Sequence, residues 1–96
     1  APVNRIIAGH LPRQTTVTPG IRLDLAAVNL AQINVGMHVL LFDQQKVVAR
    51  AVVEDLGAGQ VSAKVTTVEA LDERGQVAKS VTLPPGARVQ YTRHRL

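Results

Sequence analysis

One short phrase occurs three times in this 96-residue chain and limits what it can become. The copies are residues 17–25 (VTPGIRLDL), 33–41 (INVGMHVLL) and 83–91 (LPPGARVQY). Each ends a turn on a glycine: Gly20, Gly36 or Gly86. Apolar residues then follow one, three and five positions later, with Arg22, His38 or Arg88 between the first two. Glycine supplies the positive φ such turns often need, and a preceding proline presets the turn's first φ. Alternation at a period of two is the mark of a half-buried strand. The phrase therefore predicts a tight corner leading into a strand, used three times in a small all-β body.

The side chains agree. Fifteen valines, four isoleucines and seven threonines make 26 of 96 residues β-branched. Such residues are stiff at χ1 and suit a pleated surface. Phe42 and Tyr91 are the only aromatic residues, so the core is expected to be thin and aliphatic. Ninety-six residues suit one domain. Cysteine is absent, which excludes disulfides and thiolate metal sites. No apolar run reaches the roughly 20 residues of a membrane span. The start, Ala-Pro-Val-Asn-Arg, shows no secretion signal, and a virion or host-cytoplasm location is expected.

The clearest stretch is a three-stranded meander. It reads as residues 37–42, a turn at Asp43-Gln44-Gln45, residues 46–54, a turn at residues 55–59 with two glycines, and residues 60–68. On its second strand, Val47, Ala49, Ala51 and Val53 are expected on one face, and Val48, Arg50, Val52 and Glu54 on the other. Two valines on that second face imply cover from the barrel itself or from a subunit contact. Residues 77–83 and 87–92 read as further strands. Residues 24–34 read as an irregular or single-turn helical connection. The fold class expected is all-β: a small SH3-like or related partly open β-barrel of five to seven strands. Residues 1–16, with a short strand candidate over residues 3–8 and a loop over residues 9–14, are expected to form an N-terminal arm, and residues 17–96 the barrel.

Chemistry-bearing motifs are sparse. Ser62 and Ser80 lack a nucleophile-elbow context. His10, His38 and His94 stand 28 and 56 residues apart, with no metal-ligand spacing. Glu54-Asp55 and Asp72-Glu73 fall in turns, where carboxylates commonly bond backbone N–H groups. The pair Gly57 and Gly59 joins two strands, whereas a phosphate-cradling loop opens a helix. No catalytic residue, metal or cofactor is assigned, and the chain is not read as an enzyme.

Charge is informative through its distribution. Residues 1–23 carry Arg5, Arg13 and Arg22 and no acid; residues 88–96 carry Arg88, Arg93 and Arg95 and no acid; all seven acids lie between. Such asymmetry speaks to partners rather than fold. The reading favoured is a structural or adaptor subunit of a multi-subunit assembly. It would associate with its own copies and with other subunits. A virus or bacteriophage particle component, such as a capsid-decorating, connector or tail protein, is the expected context. Arg5, Arg13, Val48, Arg50, Val52, Arg93 and Arg95 are the candidate protein contacts. The alternative is a nucleic-acid-binding barrel using Arg88, Tyr91, Arg93 and Arg95. It is disfavoured because single-strand binders stack bases on several aromatic rings.

Overall fold

Pairing of the three corner-led strands with three others builds the molecule. The computed structural model describes residues 6–27, 29–57 and 59–93. Its strands are β1 (Ile6–His10), β2 (Thr15–Val17), β3 (Arg22–Ala27), β4 (His38–Asp43), β5 (Lys46–Gly57), β6 (Gln60–Val68), β7 (Val81–Leu83) and β8 (Arg88–Thr92). Six of them close into an antiparallel barrel in the order β1-β3-β6-β5-β4-β8, and β2 pairs with β7 in a separate two-stranded sheet. The small all-β barrel is thus as read, but it is closed rather than partly open. Closure removes the exposed sheet edges that an open barrel would carry.

The three corners are built alike. The residue after each glycine donates its N–H back to the residue three before it: Ile21 to Thr18 (3.3 Å), Met37 to Asn34 (3.2 Å) and Ala87 to Pro84 (3.2 Å). The glycines have φ of +89°, +93° and +82°, as a type II turn requires at its third position. Each glycine N–H also donates across to a neighbouring chain segment, to the carbonyl of Val65, Val53 or Leu11, at 2.8 Å in all three cases. Those same residues return a bond at 2.9 Å to the carbonyls of Ile21, Met37 and Ala87. Each corner therefore starts a strand and fixes its register on its partner in one step.

The apolar residues after each corner point inward. Leu23 and Leu25, Met37, Val39 and Leu41, and Ala87, Val89 and Tyr91 are buried in one cluster with Ala49, Ala51 and Val53 of β5 and Val61, Ala63 and Val65 of β6. Leu11, Val17 and Leu83 join it, so the β2–β7 sheet adds its buried side chains to the barrel core. Tyr91 is fully buried and its hydroxyl donates to the Ala26 carbonyl at 2.9 Å. Burial pushes its phenol well above the ordinary value of 10.0.

The arm expected over residues 1–16 does not extend that far. Ile6–His10 is a barrel strand, paired with β8 from Ile6↔Thr92 to His10↔Arg88 and with β3 at Gly9↔Ala27. The strand candidate over residues 3–8 is met in part, because the described strand runs on through Gly9 to His10. Within residues 24–34, β3 continues to Ala27, and one 3-10 turn follows at Leu30–Gln32. Asn29 caps that turn, its side chain accepting from the Ala31 N–H. The strand read over residues 77–83 shortens to β7, because Val77 bridges instead to Leu71.

Candidate protein-docking face

Two bulges on either side of β5 shape the outer surface of the barrel. Against β4, Leu41 faces Ala49 and Phe42 faces Val47, which leaves Val48 as the extra residue. Against β6, Arg50 faces Thr67 and Ala51 faces Val65, which leaves Thr66 as the extra residue. A bulge locally breaks strict alternation and re-aims the side chains beside it. Val48 consequently turns inward and joins the core, while Val47 is only half-buried. This corrects the expected outward face: Arg50 and Val52 share it, and Val48 does not. Thr66 satisfies the bulge by donating its hydroxyl to the Arg50 carbonyl at 3.1 Å.

Between the bulges lies a shallow groove of about 500 Å³. Leu40 and Val52 provide apolar surface, His38 and Arg50 provide basic or imidazole groups, and Thr66 and Thr67 provide hydroxyls. Glu69 also lines the groove, and the Arg50 guanidinium donates from Nε to its carboxylate at 2.6 Å. Both partners keep part of their surface in solvent, Arg50 at 33 % and Glu69 at 40 %. Such a pair orients the guanidinium more than it stabilises the fold.

The outer face carries more apolar bulk than a solvated sheet needs. Leu40 and Phe42 are buried, yet neither belongs to the interior cluster. Leu40 sits opposite Arg50 on one side and Gln90 on the other. Phe42 is roofed by Arg88, whose guanidinium carbon lies 4.2 Å from the ring centroid. That contact is a cation–π pair. Phe42 is thus buried, beneath the Arg88 guanidinium and outside the interior cluster.

The sequence-derived site residues do not form one cluster. Arg13 is exposed just past the end of β1, where its carbonyl accepts from the Thr15 hydroxyl at 3.0 Å. Arg93 follows the other end of the β1–β8 ladder, in a smaller cavity with Ile7 and Met37. Arg5 and Arg95 lie outside the described residues. Arg50 and Val52 alone share the groove. Tyr91, assigned to base stacking in the alternative reading, is enclosed in the core and offers no ring to a ligand. The corner phrase already implied this, since Tyr91 stands five positions after Gly86, on the face that Ala87 and Val89 turn inward.

Sequence reasoning missed Leu40, Thr66, Thr67 and Glu69 as groove residues. They meet Arg50 only through cross-strand register, which two bulges set and no local pattern reports. Among the described residues, no group of three or more His, Asp or Glu side chains is placed to hold a metal ion, and no helix is long and apolar enough to cross a membrane.

No known family model, curated protein or solved structure matches the chain.

Proposed function

We propose that this chain is a non-enzymatic structural or adaptor subunit of a multi-subunit assembly. One contrast carries the reading. The inside of the barrel, where small barrels that bind compact ligands hold them, is filled by aliphatic side chains and the Tyr91 ring. The outside carries the half-buried Val52 beside His38 and the partly exposed Arg50, with Leu40 and Phe42 buried beneath this layer. Arginine beside apolar surface is a feature enriched at protein-binding patches. The size and β content suit a component of a virus or bacteriophage particle, such as a capsid-decorating, connector or tail protein.

The test is fractionation of cells or lysates in which the chain is made in its native setting. Sedimentation with a large assembly at fixed stoichiometry, resistant to moderate salt, is the result expected. Recovery of the chain only in the free, low-mass fraction overturns the reading.

A further inference from the structure

At the end of the barrel where β1 begins and β8 finishes, the strands meet the chain between β3 and β4. Thr92 of β8 pairs with Ile6 of β1 and with His38 of β4, so Arg93 leaves the barrel next to the starts of both strands. The 3-10 turn at Leu30–Gln32 is capped by Asn29, and the Ile33 N–H donates back to the Leu30 carbonyl at 3.1 Å. Asn34 is tied to Met37 twice. Its N–H donates to the Met37 sulfur at 3.1 Å, and its carbonyl accepts from the Met37 N–H at 3.2 Å. These bonds fix the backbone of Gln32 and Asn34 and leave their side-chain amides uncommitted.

A cavity of about 260 Å³ lies there, lined by Ile7, Ala31, Gln32, Asn34, Met37 and Arg93. Ile7 and Met37 are buried and give it an apolar wall, while Gln32, Asn34 and Arg93 are exposed. Among the described residues, none of those three side chains has a hydrogen-bond or ion-pair partner. The lining holds one cation and no acid. It differs in this from the groove on β5, where Glu69 occupies Arg50. A guanidinium without a partner, beside two free amides, suits an anion that accepts paired donors, as carboxylates and phosphates do. The apolar wall decides between them. A phosphate brings up to two charges to one cation and sets no apolar atom against Ile7 and Met37. An aliphatic carboxylate matches both parts. Pockets for drug-sized ligands start near roughly 300 Å³, so this one suits a ligand of a few carbons, and barrel mouths are a recurrent place for such sites.

We propose that this end of the barrel binds a short aliphatic carboxylate, with the carboxylate on the Arg93 guanidinium and the Asn34 side-chain amide and the tail against Ile7 and Met37. The site is separate from the β5 groove and does not depend on the assembly reading. The experiment is an NMR titration of the full chain with butyrate, following the Met37 methyl and the Asn34 amide signals. Saturable shifts with a Kd on the order of 1 mM are expected. Butyramide and inorganic phosphate, which each keep only half of the match, are expected to bind at least about 10-fold more weakly. Arg93→Gln removes the charge and is expected to weaken butyrate about 10- to 100-fold. Asn34→Asp keeps a residue favoured at the start of such a turn and sets a like charge against the ligand. It is expected to abolish binding, and it carries the test if circular dichroism shows Arg93→Gln to be unfolded. N-acetyl-glycylvaline separates the two sources of such a group. Binding at least about 10-fold tighter than butyrate assigns the site to the C-terminal residue of a peptide, and equal or weaker binding assigns it to a free acid. No saturable shift by about 50 mM butyrate overturns the proposal. So do butyramide or phosphate binding as tightly as butyrate, or folded variants that bind butyrate like the wild type.

Discussion

The ring of Tyr91 leaves no room for a side chain on Gly9. A Cβ placed there would lie 2.7 Å from Cε1 of the ring and 2.1 Å from the backbone oxygen of Ala26. Gly9 pairs with Val89 of β8 and Ala27 of β3, and the Tyr91 hydroxyl bonds the carbonyl of Ala26. The seam that closes the barrel is therefore one glycine, one tyrosine and one carbonyl in mutual contact.

Gly9→Ala is expected to destabilise the fold by about 2–4 kcal/mol, because a backbone oxygen cannot move aside as a flexible side chain would. Urea unfolding followed by circular dichroism measures this. A loss below about 0.5 kcal/mol would show that the seam relaxes freely.

Tyr91→Phe keeps the ring over Gly9 and removes only the hydroxyl. The Ala26 carbonyl then loses its partner in a part-buried site, at a cost of about 1–2 kcal/mol. The phenol also sets an alkaline limit. Its folded value lies above the ordinary 10.0. The stability linked to the neutral phenol is thus complete below pH 10 and falls as pH rises above it, where only the unfolded chain ionises readily. Tyrosinate absorbance should appear together with unfolding rather than before it, and Tyr91→Phe should lack that part of the alkaline loss.

Gly36 is constrained for the opposite reason. Nothing lies within 4 Å of a Cβ built on it, but its φ is +93°. Gly36→Ala is expected to cost about 1–2 kcal/mol through backbone strain alone. The same change at Gly20 should cost about the same, because the two corners have the same hydrogen-bond pattern, each with its own partners. Denaturation midpoints of the two variants, compared at equal m-values, test that equivalence.

Arg88→Ala uncovers the Phe42 ring and is expected to lower stability by about 1 kcal/mol, with Arg88→Lys intermediate. A thermal melt of the three proteins reads this directly.

Removal of residues 1–13 takes away β1 and is expected to unfold the chain. Removal of residues 1–5 keeps every described strand in the chain, and circular dichroism compares the two truncations. The contrast separates a structural strand from any docking role of Arg5.

The corner phrase alone was enough to read an all-β chain, three strand starts and the inward face of each. Those properties are local: a positive-φ glycine and a period of two are set by sterics within a few residues. The meander over residues 37–68 was legible for the same reason. Three features were not. Ile6–His10 reads as an arm until β8 and β3 pair with it. Val48 reads as an outer residue until the bulge opposite Leu41 and Phe42 turns it inward. The groove around Arg50 joins β4, β5 and the end of β6, whose alignment depends on cross-strand hydrogen bonds. Local sterics write strands and corners into the sequence. Closure, register shifts and the side chains that meet across strands arise only when distant segments compete for the same backbone bonds and the same buried volume.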